Sequence, residues 1–439
     1  MRILIALHGF PPTHTAGAER QAERMAHWLI QHDFDVEVFA IENVKSKTVQ
    51  LETADENGLL VHRLSYDLGK DGGSFRNLYD HPDVVQALTD VLITKPFDLV
   101  HIISGYLLGS GAINAIRSLH IPVIVSPMEY WFLCDHLNLI QSTGELCSGP
   151  ESDQKCARCL LEMKRRYRIP AQIAAPLANS FWKIGLNLPF GEHMIEDVRE
   201  RRQQLSSALN AADMVICNSR FLISKFNEFG FDTEHYHYLR QGLAATPQQT
   251  PRARPEGSLR VGYIGQIKHH KGVDLLINAV IRLLKDGHPV SLDLWGGESA
   301  EPEYSQHLRQ QSQPYPSIRW NGVYTGNQVW DILANFDLLV VPSRWYENSP
   351  NVILEAHHSH LPVVATRLGG MAEMVQHETN GLLFQLNSVD DLYKQLRRFF
   401  TEPDLHDRLQ SGITPAHTID EEMQDTVQYY HQLVGQHVT

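Results

Sequence analysis

The feature that most constrains the fold is an alternation of short apolar strands with amphipathic helices. The first strand, RILIALHGF, is followed by the helical segment 17–32, in which Ala, Met, Leu and Ile recur on one face. The strands DVEVFAIE, DLVHIIS, PVIVSPM and MVICNS come next, separated by helices or loops. Parallel strands require such crossover connections, so the pattern predicts a doubly wound α/β unit.

A stretch without periodicity divides this first series of elements from a second one. Residues 246–258, TPQQTPRARPEGS, are rich in Pro, Gln and Arg, which predicts a linker or an exposed loop. The alternation restarts at LRVGYIG and continues to GLLFQL. We therefore expect an N-terminal domain over 1–245 and a C-terminal domain over 259–410. A ligand cleft would lie between them, with functional residues just after the carboxyl ends of strands.

The composition is that of a soluble globular protein. Of the 439 residues, 43% are apolar and 20% are charged. The net charge of −13 argues against a nucleic-acid binder, which usually carries a basic excess. The apolar run at the N-terminus is too short for a signal peptide and meets Pro11-Pro12, and no apolar stretch reaches 18 residues. We therefore expect a cytoplasmic protein.

Four of the five cysteines form a cluster in the sequence. Cys134, Cys147, Cys156 and Cys159 have the spacing C-x12-C-x8-C-x2-C within a polar, loop-like stretch. Because disulfides are disfavoured in the cytoplasm, this pattern predicts a tetrahedral structural zinc site, with an iron–sulfur cluster as the second choice. The alternatives are four reduced cysteines around a loop, or two disulfides in an oxidising setting. Cys217 lies within a predicted strand and is expected in the core.

The turn HGFPPTHTAGAERQ joins the first strand to the first helix and contains Gly17 where that helix begins. Amides at a helix N-terminus attract phosphate and other anions, so this turn is a candidate anion site. The absence of a G-x-G-x-x-G motif argues against a nicotinamide dehydrogenase. The simpler interpretation is an ordinary turn between a strand and a helix.

A basic turn follows the first strand of the C-terminal domain, in YIGQIKHHKGVDLL. Strand 259–264 ends at Gly265, and Gln266 and Lys271 flank the turn. A lysine at this distance from a strand end can reach into a cleft and neutralise phosphate as a point charge. The alternative is that residues 268–271 form only a solvated turn.

The segment WYENSPNVILEA runs from a loop into a helix and carries Glu347 and Glu355, with seven residues between them. Exposed amides at the helix start would form an anion site. Glu355 lies among apolar residues, where an unpaired carboxylate is unfavourable, so it needs a partner such as a ligand hydroxyl. The alternatives are a surface acid for Glu347 and an internally paired carboxylate for Glu355. The residues at the helix start are Asn348, Ser349, Pro350 and Asn351.

These segments carry a family resemblance. From VGYIGQIKHHKG through PSRWYENSPNVILEA and ATRLGGMAEMV to NGLLF, the C-terminal half resembles the retaining GT-B glycosyltransferases of family GT4. The likeness extends more weakly to the first half through GAERQ, DLVHIISG and ADMVICNSRFL. It implies two Rossmann-like doubly wound domains facing across a cleft, with a nucleotide-diphosphate sugar held mainly by the second. It also implies transfer with retention and no catalytic metal, and a final segment, 411–439, that returns to the first domain.

The resemblance also implies roles for individual residues. Glu347 would bind hydroxyls of the donor sugar, and the amides of 348–351 would receive donor phosphate oxygens. Glu355 would accept hydrogen bonds from the ribose hydroxyls. Lys271 would neutralise the departing diphosphate, and Gly17 would let the first loop approach the same group. Glu347 is not assigned as a covalent nucleophile. Two further residues complete the donor side: Gly265 and Gln266.

The chain departs from the family pattern at two positions. Gln266 stands where many members have an arginine, so phosphate neutralisation must rest more on Lys271 and the amides. Met128 stands where many have a histidine near the acceptor, which excludes an acid–base role there. Glu129 could face the acceptor hydroxyl instead. His101 could also line the acceptor side, and a structural histidine is the equal alternative.

A basic and apolar insertion, 160–205, follows the cysteines. Its segment EMKRRYRIPAQIAAPLANSFWKIGLNLPF joins a basic run to an apolar stretch. Such a surface could contact an anionic membrane or a lipid-linked acceptor. The alternative is a helix packed over the N-terminal domain. The basic run comprises Lys164, Arg165, Arg166 and Arg168.

The sequence therefore predicts a retaining hexosyltransferase that moves a sugar from a nucleotide-diphosphate sugar to a sugar or lipid-linked acceptor, in polysaccharide or glycoconjugate synthesis. It would act in the cytoplasm, with or without contact to the cytoplasmic face of the membrane. One rival is a nucleotide-sugar epimerase of similar architecture. Another is a catalytically silent GT-B module that binds sugar phosphates or a partner protein. The departures from the family pattern at Gln266 and Met128 favour this alternative.

Overall fold

The computed structural model describes five stretches of the chain: residues 1–69, 74–164, 166–168, 175–244 and 258–437. The chain folds into two compact units, residues 1–241 with 419–439 and residues 242–418. The predicted linker, 246–258, lies outside the described residues apart from Ser258.

The N-terminal unit is built on a single sheet. Within the described residues it has eight strands in the order β3-β4-β2-β1-β5-β6-β7-β8, and only β3 runs antiparallel to its neighbour. The strands are β1 (Arg2–Leu7), β2 (Asp35–Asn43), β3 (Lys45–Glu56), β4 (Leu59–Asp67), β5 (Leu99–Ile103), β6 (Val123–Ser126), β7 (Met214–Cys217) and β8 (Tyr236–Tyr238). The helices between them are α1 (Gly17–Gln31), α2 (Pro82–Thr94), α3 (Gly109–Ser118), α4 (Asp153–Met163), α5 (Ala175–Gly185), α6 (Pro189–Asn210) and α7 (Arg220–Glu228).

The C-terminal unit contains a second sheet, in which the described strands are all parallel. Their order is β11-β10-β9-β12-β13-β14. The strands are β9 (Leu259–Ile264), β10 (Val290–Trp295), β11 (Ile318–Gly322), β12 (Leu338–Val341), β13 (Val363–Thr366) and β14 (Gly381–Phe384). The helices are α8 (Val273–Lys285), α9 (Pro302–Ser312), α10 (Val329–Leu333), α11 (Asn351–His358), α12 (Gly369–Met374), α13 (Val389–Thr401) and α14 (Leu405–Ser411).

The last helix, α15 (Ile419–His437), belongs to the N-terminal unit. Its residues Met423, Tyr430 and Leu433 are buried in the same core cluster as the apolar face of α1. The indole of Trp28 on α1 donates a hydrogen bond of 2.6 Å to Asp420. These contacts explain why the end of the chain is part of the first unit.

The unit boundaries differ from the predicted domain limits of 245 and 410. Residues 242–244 and 411–418 belong to the C-terminal unit. The reason is a local pairing, since Leu243 bridges to Thr418 and its amide donates to the carbonyl oxygen of His417 at 2.8 Å. Leu243 is 4% exposed and packs in the core of the C-terminal unit.

The two parallel-sheet units confirm the predicted fold class. Inner strands such as β7 and β12 consist of buried apolar residues, whereas the antiparallel strand β3 has no buried residue. In the first sheet β1 lies between β2 and β5, and in the second β9 lies between β10 and β12. The chain therefore adds strands first on one side of β1 or β9 and then on the other, which makes the gaps between β1 and β5 and between β9 and β12 the switch points of the two sheets. The carboxyl ends of strands at such switch points are the usual ligand sites of doubly wound sheets.

The cysteine-rich stretch is only partly a loop, which corrects the prediction. Cys156 and Cys159 lie on α4, which begins at Asp153. The Ser152 side chain caps this helix by accepting a hydrogen bond from the Lys155 amide at 3.1 Å. A serine followed by a first-turn aspartate is a helix-start signal, and it outweighs the polar composition of the stretch.

Candidate active site

Two loops meet at the switch point of the C-terminal sheet, because β9 and β12 are neighbouring parallel strands. The loop after β9 contains a short 3-10 helix, His269–Lys271, and the loop after β12 leads into α11. Gly272 has a positive φ of 70°, and a Cβ there would lie 2.0 Å from the carbonyl oxygen of Pro342. A glycine is therefore required for the two loops to approach this closely.

The centre of the site is an ion pair between the two loops. Lys271 Nζ lies 2.6 Å from Glu347 Oε1. The same carboxylate oxygen accepts hydrogen bonds of 2.8 Å from the Ser343 hydroxyl and from the Trp345 indole. The Lys271 ammonium also lies 4.9 Å from the centre of the Trp345 ring, within the range of a cation–π interaction. One oxygen thus receives three donors, one of them charged.

The environment keeps Glu347 ionised. The residue is 7% exposed, and burial by itself raises the pKa of a carboxyl group. The charge of Lys271 and the hydrogen bonds from Lys271, Ser343 and Trp345 outweigh burial, so the pKa of Glu347 lies below its ordinary value. The site therefore holds a fixed, buried negative charge beside a cation.

The backbone of Glu347 and Asn348 is fixed by the start of α12. The Gly370 amide donates a hydrogen bond of 2.8 Å to the carbonyl oxygen of Glu347. A Cβ on Gly370 would lie 1.7 Å from the carbonyl oxygen of Asn348. Any larger residue at 370 would have to displace this loop.

Arg344 ties the two loops together behind the ion pair. Its guanidinium forms two hydrogen bonds of 2.6 Å to the carboxylate of Asp274, and it also donates to the His269 carbonyl oxygen at 2.9 Å. The Tyr304 hydroxyl donates to Asp274 at 2.6 Å. Burial alone raises the pKa of Asp274, but Arg344 and Tyr304 reverse this and lower it. The bidentate pair fixes the orientation of the loop that carries Glu347.

Of the four residues predicted at the helix start, only the last belongs to the helix. α11 begins at Asn351, its N-cap residue is Pro350, and no side chain caps it. Ser349, Pro350 and Asn351 are partly exposed, whereas Asn348 is 7% exposed. The helix begins four residues after Glu347, and its first turn carries a partial positive charge.

Glu355 is less buried than its sequence context suggests. It lies in the second turn of α11 between the buried residues Leu354 and Ala356, but it is itself partly exposed. Helical geometry explains the difference, because neighbours in sequence point about 100° apart on a helix. Gln266 is exposed, and Gly265, which follows β9, donates its amide to the Trp295 carbonyl oxygen at 2.9 Å.

The switch point of the N-terminal sheet carries a second group of polar residues. Glu129 follows β6 and accepts a hydrogen bond of 2.8 Å from Ser104, which follows β5. His8 follows β1, and its Nε2 lies 3.3 Å from Glu19 on α1. Gly17, the first residue of α1, is exposed, and a Cβ there would meet no atom within 4 Å.

The pKa values of the two carboxyl groups, Glu129 and Glu19, are shifted in opposite directions. Burial raises the pKa of Glu129, which the His8 charge and the Ser104 hydrogen bond only partly offset. Burial also acts on Glu19, but its hydrogen bond to His8 helps to lower the pKa below the ordinary value. The sequence-based reasoning missed His8, Glu19 and Ser104. Their positions directly after strand ends, or in the first turn of α1, were the available signal.

His101 occupies a structural position. It is 1% exposed, and its ring nitrogens lie 2.7 Å from the Tyr430 hydroxyl and 2.7 Å from the Ser126 hydroxyl. Burial lowers the pKa of His101 to about 3, so the ring is neutral. Of the two sequence interpretations, the structure favours the one in which His101 links β5, β6 and α15.

The four clustered cysteines line one cavity of about 50 Å³. Burial raises the pKa of both Cys134 and Cys156 to about 12, so these thiols are protonated near neutral pH. Within the described residues, which include all of these cysteines, no three His, Cys, Asp or Glu side chains are grouped so that they could hold a metal ion. A zinc site at Cys134, Cys147, Cys156 and Cys159 stays a prediction.

Two family models match the chain, and together they cover well over half of it. Residues 16–154 match the model of a glycosyl transferase 4-like domain. Residues 258–402 match the model of the glycosyl transferases group 1. The second match contains Lys271, Glu347 and Glu355.

Among curated proteins, the chain is 27% identical over 196 residues to the putative glycosyltransferase YtcC of Bacillus subtilis, covering 43% of this chain and 48% of that protein. It is also 27% identical over 222 residues to a D-inositol 3-phosphate glycosyltransferase of Streptomyces bingchenggensis, covering 46% and 49% of the two chains. The chain spans about half the length of the curated relatives it matches.

Solved structures share the fold along the whole chain. Sucrose-phosphate synthase of Thermosynechococcus elongatus superposes with a TM-score of 0.67 at 16% identity, covering 99% of this chain and 100% of that one. HepE of Anabaena, solved with UDP and glucose, superposes with a TM-score of 0.64 at 17% identity and the same coverage. At such identities the likeness concerns the fold.

Proposed function

The chain belongs to the group 1 glycosyltransferases of the GT4 type, and on this premise we propose that it transfers a sugar from a nucleotide-diphosphate sugar to an acceptor hydroxyl with retention of configuration. The acceptor would be a sugar or a lipid-linked molecule in polysaccharide or glycoconjugate synthesis. The observation that carries the proposal is the Lys271–Glu347 pair at the switch point of the C-terminal sheet.

A nucleotide-diphosphate donor fits the charges of this site. Such a donor presents phosphates, which need cations and amides, and a sugar, whose hydroxyls need acceptors. Lys271 supplies the cation, the start of α11 supplies a partial positive charge, and Glu347 supplies the acceptor. HepE, a protein of the same fold, was solved with UDP and with UDP-glucose, which supports a donor of this class.

Stabilisation of the leaving group is the main electrostatic requirement of the transfer. Breaking the glycosidic bond places negative charge on the diphosphate, and a prepositioned cation lowers the barrier most when it faces that charge. We propose that Lys271 turns from Glu347 to the departing diphosphate when donor binds. Ser343 and Trp345 would then hold the Glu347 carboxylate through their remaining hydrogen bonds.

In this proposal Glu347 orients the sugar and does not attack it. Its lowered pKa keeps it ionised, as an acceptor for sugar hydroxyls must be. Oε1 of Glu347 keeps its hydrogen bonds from Ser343 and Trp345, so the second carboxylate oxygen would receive a sugar hydroxyl. Retention would follow from acceptor attack on the face that the diphosphate leaves, with the diphosphate accepting the acceptor's proton. Glu355, in the second turn of α11, would accept hydrogen bonds from the ribose hydroxyls.

The experiment pairs binding with turnover. Thermal shift with a panel of nucleoside diphosphates and nucleotide sugars should single out one base. A ligand present at 100 times its Kd raises the free energy of unfolding by about 2.7 kcal/mol. The selected donor is then incubated with glycan and lipid-linked acceptors while the released nucleoside diphosphate is measured. Glu355→Ala should weaken nucleotide binding roughly tenfold through loss of charge-assisted hydrogen bonds. The matched control is Glu303→Ala, because Glu303 is an exposed acid in the first turn of α9.

The same experiment separates the rival functions. Binding of a nucleotide sugar without release of nucleotide to any acceptor would support a silent module, and Gln266 would be the first residue to restore to arginine. Conversion of donor alone into an epimer would identify an epimerase. Absence of any thermal shift across the panel would overturn the proposed donor class.

A further inference from the structure

One face of α5 and the turn after it exposes a continuous row of large apolar side chains. The three residues within the helix recur three or four positions apart, so they lie on the same side of it, and the fourth lies in the turn before α6. Isolated exposed apolar residues are ordinary, but a row of them on one face marks a contact surface. We call these residues the apolar row: Leu177 (74% exposed), Phe181 (43%), Ile184 (68%) and Leu188 (40%).

The helix itself is firmly seated, so the exposure of the row is not a sign of misplacement. Ala178 and Trp182, on the opposite face, are 9% and 2% exposed. The ring of Tyr167 packs against Trp182 with ring centres 5.2 Å apart, and Asn179 accepts a hydrogen bond of 2.6 Å from Arg158 on α4. Within the described residues, Phe181 also contacts this packed face, with its ring centre 5.0 Å from that of Trp182, whereas Leu177 and Ile184 are mostly exposed.

The stretch of chain that carries the row is basic. Between Glu162 and Glu192 the chain has five basic residues and no acidic one, although the whole chain carries a net charge of −13. Glu162 is 3% exposed and pairs with Arg158 at 2.8 Å, so it contributes little field at the surface. Glu192 is exposed at the start of α6. Arg165 lies outside the described residues, and the exposed cations are Lys164, Arg166, Arg168 and Lys183.

We propose that the apolar row and these four cations dock the protein on the surface of an anionic lipid bilayer. An amphipathic helix lies in the plane of the interface with its apolar side chains among the acyl chains and its cations at the headgroups. Basic residues beside a negatively charged leaflet each add to the attraction. The chain outside this segment has a net negative charge and is repelled by such a surface, so we assign docking to this segment.

The charge pattern disfavours the other occupants of an apolar face. A second copy of the chain would bring the same cations against each other, and like charges at an interface are destabilising. The cores of protein interfaces are enriched in aromatic residues and methionine, whereas three of the four residues of the row are aliphatic and none is methionine. The row matches a bilayer, which offers apolar chains beneath negative headgroups.

The test is vesicle co-sedimentation of the full chain. Vesicles of phosphatidylcholine alone are compared with vesicles that also contain phosphatidylglycerol, at low and at high salt. We expect binding to the anionic vesicles, and weaker binding at high salt because ions screen the cations. The double variant Leu177→Ser/Ile184→Ser should bind at least roughly tenfold more weakly. Arg166→Glu and Arg168→Glu should each weaken binding by at least about fivefold.

Two matched controls separate docking from general stickiness. Ile93→Ser and Val323→Ser remove apolar side chains that are 64% and 76% exposed elsewhere, and they should leave vesicle binding unchanged. Equal binding of wild type and the Leu177→Ser/Ile184→Ser variant would overturn the proposal. The proposal would also be overturned if the wild type did not bind vesicles but formed a dimer in solution that this double variant abolished. Because the readout needs no donor or acceptor, it fails or succeeds independently of the proposed transfer.

Discussion

Lys271 and Glu347 are 76 residues apart in the chain, yet their side chains lie 2.6 Å from each other at the ends of two neighbouring strands. The contact exists because β12 pairs with β9. It does not pair with β11, the strand that precedes it in the chain. It is the relationship on which the proposed transfer depends, and the first two predictions follow from it.

Glu347→Gln keeps the shape of the side chain and removes its charge. We expect turnover to fall below detection while nucleotide binding is retained, because the carboxylate acts on the sugar and not on the base. The free energy of unfolding should fall by about 2 kcal/mol, since the partly buried Lys271 loses its charged partner. Product release and urea unfolding measure the two effects. Glu303→Gln is the control, and normal turnover in Glu347→Gln would remove Glu347 from the site.

Lys271→Met removes the cation that faces the proposed leaving group. We expect kcat to fall about 100-fold or more, as for loss of other groups that stabilise charge in the transition state. Lys271 is also the strongest influence that lowers the pKa of Glu347, so that pKa should rise in the variant. The acid limb of the pH profile of kcat/KM should therefore move to higher pH. Lys268→Met, in the same turn, should change neither quantity.

Gly370→Ala places a methyl group where the carbonyl oxygen of Asn348 lies. The loop carrying Glu347 must shift, so we expect loss of turnover and weaker nucleotide binding from a protein that still folds. Calorimetric titration with the selected nucleotide measures the effect. Gly435→Ala is the matched control because a Cβ there meets no atom within 4 Å, and the helix should gain about 0.5–1 kcal/mol. Equal nucleotide affinity in both variants would contradict the inferred role of this contact.

Because burial lowers the pKa of His101, we expect the free energy of unfolding to depend on pH. Its pKa is about 3 in the folded state, well below the value of about 6.5 expected for an unfolded chain. The unfolded state therefore binds the proton more readily, and the stability contributed by the neutral ring is complete above pH 6.5 and decreases as the pH falls toward 3. The expected slope is about 1.4 kcal/mol per pH unit in that window. Urea midpoints at pH 7.5 and 5.0 should differ less in His101→Gln than in the wild type, and an equal difference would contradict the assignment.

The four cysteines allow a direct test of the zinc prediction. If they bind zinc, elemental analysis of the full chain finds one zinc per chain, and Cys156→Ser/Cys159→Ser loses both the metal and several degrees of Tm. Cys217→Ser is the control for metal content, because Cys217 is buried in β7 and does not line the cavity of the four cysteines. Metal-free wild type with four titratable thiols in this stretch would establish the alternative of reduced cysteines.

Much of the candidate site was predictable from local sequence. The segments after β9 and β12 were identified because strand ends, glycines and a helix start are encoded within a few residues. Glu347 and Lys271 were both named on that basis. Ser343, Trp345 and Gly370 were not, because their importance comes only from the atoms they reach in Glu347 and Asn348.

The sequence by itself determined the fold class and the positions of the site-bearing turns. Hydrophobic periodicity is a local property, and a strand or a helix buries its apolar residues in the same way wherever it is placed. The tertiary structure alone decided which turns meet, that His101 is enclosed by α15, and that Cys156 and Cys159 lie on a helix. It also decided which apolar face of α5 is buried, since Trp182 and Ile184 are both large apolar residues and only packing makes one 2% and the other 68% exposed. Contacts between distant segments depend on strand order, and strand order is set by the total packing of the unit and not by any single segment.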